Sequence, residues 1–171
     1  MTGAMHDVLG RRGFLGLLMG GAAVGVAGWA YGNTPARKFE IQLSDAQWRQ
    51  RLGGARYEIL REAGTERAFT SPLLHEKRQG TFVCAACNLP LFSSATKFDS
   101  GTGWPSFWKA LPNAVVYNRD YSIGMARTED LCRRCGGHLG HVFDDGPPPT
   151  GKRHCINGLA LKFQPSAGRA A

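Results

Sequence analysis

A chain of 171 residues with 43% hydrophobic content is long enough for one domain with a buried core and too short for two comfortable ones. Its formal net charge of +8 comes from 21 basic and 13 acidic residues, but these are scattered and form no long run. A solvated basic surface is therefore expected, and no nucleic-acid partner.

The first 30 residues read as a leader. Arg11-Arg12 runs directly into the apolar, small-residue stretch 16–30, which predicts a twin-arginine export signal and a periplasmic or other extracytoplasmic location. A membrane-spanning helix is the competing reading, but the run is short for a span and dense in glycine and alanine. Gly28-Trp29-Ala30 offers small residues for cleavage near Ala30, and an uncleaved leader would tether the domain to a membrane. Removing residues 1–30 takes away two basic residues and one acidic residue and leaves a net charge of +7, so the excess belongs to the remaining domain.

Residues 31–43 read as a linker or extended arm, with alternating Phe39, Ile41 and Leu43. The domain is expected over 44–165. Ser44 is a helix N-cap, Trp48 and Leu52 share one face, and Gly53-Gly54 breaks the helix. A second helix is expected over 55–63, capped by Gly64. Beyond Gly80, short β-rich pieces at 81–84, 114–117, 122–126, 139–143 and 156–163 alternate with glycine, proline and asparagine. The pattern predicts a mainly β fold with antiparallel sheets after a small helical N-terminal region. Residues 166–171 are expected to form a disordered tail.

The five cysteines divide as Cys84-x-x-Cys87, Cys132-x-x-Cys135 and a single Cys155. Two such pairs, each beside a turn residue, are able to close a tetrahedral site around one structural zinc. Disulfides or a redox dithiol are the alternative in an exported protein. A second metal set, Cys132, Cys135, His138 and His141, would leave Cys84 and Cys87 without a metal. Cys155 lies in Arg153-His154-Cys155-Ile156-Asn157, where a strand would put Arg153, Cys155 and Asn157 on one face. Arg153 is placed to favour a thiolate nucleophile. A small buried hydrophobe is the plain alternative for Cys155.

With these pairs, Gly101-Thr102-Gly103-Trp104-Pro105-Ser106-Phe107, His138-Leu139-Gly140-His141-Val142-Phe143-Asp144-Asp145-Gly146 and the Cys155 segment, the chain resembles the MsrB family of peptide-methionine (R)-S-oxide reductases over about Ser44 to Phe163. The resemblance implies two antiparallel sheets, zinc on Cys84, Cys87, Cys132 and Cys135, and a nucleophile at Cys155. It places Trp104 against the methyl group of the sulfoxide, and His138, His141, Asp145, Arg153 and Asn157 around the pocket. The expected roles are His141 as acid, Asp145 as the partner of an imidazole, Arg153 as support for the thiolate, and Asn157 with His138 as hydrogen-bonding groups at the oxygen. Many family members carry a resolving cysteine where this chain has Thr102. A one-cysteine cycle closed by a thioredoxin-like or other external thiol reductant is therefore expected, acting on oxidised peptides and proteins. His154 also stands at a position that is often aromatic. A zinc-ribbon binding module and an exported thiol-disulfide oxidoreductase are the competing functions; the first leaves the Trp104 and His141 motifs idle, and the second predicts a single reactive Cys-x-x-Cys pair.

Overall fold

The computed structural model describes residues 37–167; the leader, the first six residues of the expected linker and the last four residues of the tail lie outside the described residues. Among the described residues, chain order runs from one helix into nine strands with short 3₁₀ turns between them. No helix among the described residues is long and apolar enough to cross a membrane.

Helix α1 spans Asp45–Glu62 and opens with a capping box in which the Ser44 side chain and Gln47 satisfy each other's backbone N–H groups. Trp48, Leu52, Tyr57, Ile59 and Leu60 turn inward and are buried. The expected break is present at Gly53, where φ is 70° and ψ 172°, so two helical pieces meet at a kink. The C-terminal end differs from expectation. Ala63, not Gly64, takes the left-handed conformation, and Gly64 N–H closes the last turn on Glu58 O at 3.0 Å.

Strands β1 (Gly80–Cys84), β2 (Pro90–Ser93) and β9 (Leu161–Pro165) form an antiparallel sheet ordered β2-β1-β9. The larger sheet contains β3 (Lys97–Phe98), β4 (Ser106–Phe107), β5 (Val115–Asp120), β6 (Arg127–Cys132), β7 (His138–Phe143) and β8 (Arg153–Ile156), in the order β3-β4-β8-β7-β6-β5. Phe82 of β1, Phe92 of β2 and Phe107 of β4 join the two sheets. Phe107 stacks on Phe92 with centroids 4.4 Å apart and meets Phe82 edge-on at 4.9 Å, each contact adding about 0.5–1.5 kcal/mol beyond area burial.

The expected strand at 122–126 is instead the turn of the β5–β6 hairpin, and the strand follows it at Arg127–Cys132. Ile123 and Met125 are exposed at that turn, so their alternation does not mark a buried face. The run expected at 156–163 divides into β8, a 3₁₀ turn at Gly158–Ala160 and β9. Asn157 therefore lies just beyond the strand rather than on it.

Candidate active site

The two Cys-x-x-Cys segments are built alike. In the first, Cys84 N–H donates to Leu89 O and Asn88 N–H to Cys84 O; in the second, Cys132 N–H donates to Gly137 O and Gly136 N–H to Cys132 O, all at 2.8–2.9 Å. Asn88 and Gly136 are left-handed, with φ of 58° and 68°, and turn the chain back directly after the second cysteine of each pair. The four sulfurs lie within 4.8 Å of one another, with Cys84–Cys135 at 3.7 Å and Cys87–Cys132 at 3.5 Å. A tetrahedron of thiolates about 2.3 Å from zinc has edges of about 3.8 Å, so the cluster fits such an ion. Hydrogen bonds from the other sulfurs push the Cys84 thiol up and hold Cys87 down. Without a cation, four thiolates cannot share this buried space. His138 and His141 are not part of the cluster.

The N-terminal arm covers the second knuckle. Ile41 N–H donates to Arg134 O at 3.1 Å, Glu40 pairs with Arg133 and Arg134, and the Phe39 ring fills the space a Cβ on Gly136 would need.

Cys155 sits on β8 between β4 and β7, opposite Ser106 and His141. It is half-buried, whereas the other four cysteines are buried. It lines a pocket with Thr65, Trp104, Arg127, Gly140, His141, Phe143 and Asn157. Gly140 lets the strands close here, because a Cβ on it would lie 2.0 Å from Cys155 O. Thr102 Oγ1 is 3.8 Å from Cys155 Sγ and continues through Ser100 to Ser106 as a chain of hydroxyl groups. Burial pushes the Cys155 thiol up, opposed by the Thr102 contact and by the charge of Arg153. Arg153 acts in the expected direction, toward the thiolate, but desolvation outweighs it and the net shift of Cys155 is upward.

Two histidines three residues apart on a regular strand would face opposite ways. Here the register of β6 against β7 slips by one residue between Asp130 and Leu131. Both rings lie together as a result, with centroids 5.4 Å apart. His138 Nδ1–H donates to Glu129 at 2.6 Å, and its buried Nε2 has no partner among the described residues. His141 Nε2–H donates to Asp120 Oδ2 at 2.8 Å, and burial lowers the imidazole below its ordinary range while Asp120 acts in the opposite sense. His138 lines not the Cys155 pocket but an adjoining polar recess with Asp120, Arg127, Glu129 and His141.

Asp145 has a different partner from the one expected. It engages Arg153, through Nε and Nη2 at 2.8 Å each, and no imidazole; its side chain is 61% exposed. Arg153 also covers the face of Phe143 at 4.4 Å. Asn157 Oδ1 accepts from Glu66 N–H at 2.9 Å, and its Nδ2 donates to Leu139 O at 3.1 Å.

Glu66 gives no signal in the sequence, yet every polar group of this residue is used at the site. Its backbone N–H reaches Asn157, its carbonyl accepts from Trp104 Nε1 at 3.0 Å, and its carboxylate accepts from the N–H groups of Gly158 and Leu159 at 2.5 and 2.9 Å. Asp120, Arg127 and Glu129 are silent in the sequence for the same reason: they are separated from the motifs along the chain and join them only through strand pairing.

An accessible cysteine in an aromatic-walled pocket, apart from a four-cysteine cluster, is the arrangement of a thiol enzyme. Residues 52–165 match the SelR domain. The chain is 55% identical over 127 residues to the peptide methionine sulfoxide reductase MsrB of Agrobacterium fabrum, covering 74% of this chain and 94% of that protein. It is 59% identical over 123 residues to the MsrB of Thiobacillus denitrificans, with 71% and 93% covered, and 55% identical over 127 residues to that of Leptospira interrogans, with 74% and 97% covered. The chain belongs to the SelR-domain family of MsrB peptide methionine sulfoxide reductases.

Proposed function

We propose that this protein reduces the R epimer of methionine sulfoxide in peptides and proteins, with Cys155 as nucleophile. The observation that carries the reading is the separation of the cysteines: four buried sulfurs form a cluster, and the fifth lines a pocket with Trp104 and His141. The family membership supports the reaction class. The R hand rests on the family resemblance alone.

The Cys155 sulfur attacks the sulfoxide sulfur while His141 delivers a proton to the departing oxygen. Thiol with neutral imidazole and thiolate with imidazolium differ only in the place of one titratable proton, so the reactive pair forms without a proton from solvent. The oxygen passes from the methionine sulfur to the Cys155 sulfur: the methionine sulfur–oxygen bond and the transient bond between the two sulfurs break as the Cys155 sulfur–oxygen bond forms, so the methionine thioether leaves and Cys155 becomes a sulfenic acid. One thiol of an external dithiol then attacks the Cys155 sulfur and releases water. Its second thiol displaces Cys155, and the reductant leaves as a disulfide. Thr102 at 3.8 Å from Cys155 supplies no sulfur, which supports an external, thioredoxin-like partner.

The Trp104 indole is the proposed wall for the substrate methyl group. Asn157 keeps one Nδ2 hydrogen for a polar contact, His138 backs His141 from the recess, and Arg153, braced by Asp145, favours the thiolate. Cys84, Cys87, Cys132 and Cys135 would hold zinc, which would cross-link the knuckles and stabilise the fold. Residues 1–30 are proposed to direct export by the twin-arginine route, which cell fractionation of the chain with and without Arg11 and Arg12 would test.

The deciding assay offers separated R and S epimers of a methionine sulfoxide peptide to the full chain and to Cys155→Ser, with dithiothreitol. Reduction of the R epimer alone, lost in the variant, is expected. Equal reduction by the variant would remove Cys155 from the mechanism.

A further inference from the structure

His141 lines the pocket, but its ring is held from the recess behind it. Asp120 is the last residue of β5 and lies opposite Arg127, the first of β6, so the pair closes the hairpin. Its carboxylate is held at both oxygens. Oδ1 accepts from Ser122 N–H at 2.8 Å, and Oδ2 accepts from Arg127 Nη2 at 2.5 Å and from His141 Nε2 at 2.8 Å.

We propose that Asp120 is a positioning residue of the reaction: pinned by Ser122 and Arg127, it fixes His141 in the tautomer and orientation that leave Nδ1 for the substrate oxygen. The proposal rests on the reading of His141 as proton donor. An ionised carboxylate only accepts hydrogen bonds, so the ring nitrogen facing it must carry a hydrogen. Nε2 is committed in this way, and the proton to be transferred belongs on Nδ1. Once the imidazolium forms, the nearby negative charge stabilises it against the cost of burial.

The charged and titratable groups around His141 are Arg119 and Asp120 from β5, Tyr121 from the hairpin turn, Arg127 and Glu129 from β6, His138 from β7, Cys155 from β8 and Glu62 from α1. Among the described residues, only Asp120 hydrogen-bonds the ring. Arg127 opposes protonation of His141 through its charge but also restrains Asp120. The hairpin thus supplies both the carboxylate and its tether, from a segment remote in sequence from the histidine.

The test compares the full wild-type chain, Asp120→Asn and Asp120→Glu. Imidazole ¹⁵N shifts, assigned with His141→Gln, report the resting tautomer. Single-turnover reduction of an R-sulfoxide peptide across pH reports the chemistry. Wild type is expected to hold His141 as the Nε2–H tautomer. Asn presents either an oxygen or an amino group and carries no charge, so Asp120→Asn should populate both tautomers. Its plateau rate should fall about tenfold or more, with the acidic limb displaced to lower pH. Asp120→Glu should recover most of the rate and return the limb.

An Nδ1–H tautomer in wild type would overturn the proposal without any variant, which keeps the test decisive even if Asp120→Asn fails to fold. A folded Asp120→Asn with unchanged tautomer, rate and limb would overturn it as well. Full single-turnover rate in His141→Gln would instead overturn the reading of His141 as acid, and is distinguishable from both.

Discussion

Arg153 and Asp145 meet fork to fork, with two nitrogen–oxygen contacts of 2.8 Å, and this pair stands beside a thiol that burial pushes upward. The guanidinium does not reverse the cost of desolvating Cys155, but it limits that cost. Arg153→Gln should therefore raise the Cys155 pKa further. Alkylation by iodoacetamide, followed by mass spectrometry, should move to higher pH, and a pKa higher by about one would make the rate at neutral pH about tenfold lower. An unchanged profile would show that the guanidinium does not act on the sulfur.

Cys155 is raised from its ordinary value of 9.0, chiefly by burial, and His141 is lowered from 6.5 for the same reason. The singly protonated pair therefore persists across a wide window. The single-turnover rate should be flat from below pH 6.5 to above pH 9, falling on the acid side as His141 protonates over a retained thiol and on the alkaline side as the shared proton is lost. A narrow bell centred near neutrality would contradict this assignment.

Glu66 holds the backbone of Gly158 and Leu159 while its own backbone holds Trp104 and Asn157. Removing the carboxylate leaves two N–H groups without their acceptor, that of Gly158 buried and that of Leu159 part-buried, and the buried one alone costs about 1–3 kcal/mol. Glu66→Ala should lower the urea midpoint, and Glu66→Gln, which restores one acceptor, should recover part of the loss. Equal midpoints for Ala and wild type would deny the carboxylate this role.

Behind the active face, His154 Nδ1–H donates to Asp130 Oδ2 at 2.8 Å, both side chains are buried, and Asp130 Oδ1 has no partner among the described residues. Asp130→Ala leaves the histidine without its acceptor and should cost about 3–5 kcal/mol. The double variant Asp130→Val with His154→Phe replaces the polar pair by apolar groups and should lie close to wild type in denaturant unfolding. A double variant as weak as the single one would indicate that packing, not the uncompensated polar group, dominates.

Cys135→Ser removes one ligand from a buried set of four, whereas Cys155→Ser leaves that set whole. Metal analysis and circular dichroism should show Cys135→Ser depleted of zinc and poorly folded, with Cys155→Ser zinc-loaded and native. Apparent structural zinc affinities of about 10–16 kcal/mol make the first loss difficult for a small domain to survive. Native spectra for metal-free Cys135→Ser would separate the cluster from folding.

The cysteine partition and the Trp104, His138-to-Asp145 and Cys155 segments are legible in sequence because each keeps its chemistry within a few residues. The supporting groups are not. Asp120 is 21 residues from His141 and Glu66 is 38 from Trp104, and only strand pairing and loop packing bring them together. Strand β6 is hidden in the sequence for a related reason. Its segment RTEDLC places Arg127 and Glu129 beside the histidines and Asp130 against His154, so it lacks the apolar alternation that announces a strand, while the turn before it has exposed Ile123 and Met125.

The slip between β6 and β7 makes the active face a matter of counting. Leu139 is the residue left over between the His138 and Gly140 pairings, and the connection upstream of it carries the second knuckle, Cys132 to Cys135. Chain length there is constrained from both sides: one residue fewer would return β7 to even spacing and send one histidine to the rear of the sheet, and one more would have to be absorbed between the cysteine loop and the strand. Insertions that surface loops elsewhere tolerate should be excluded from this stretch, whatever their composition.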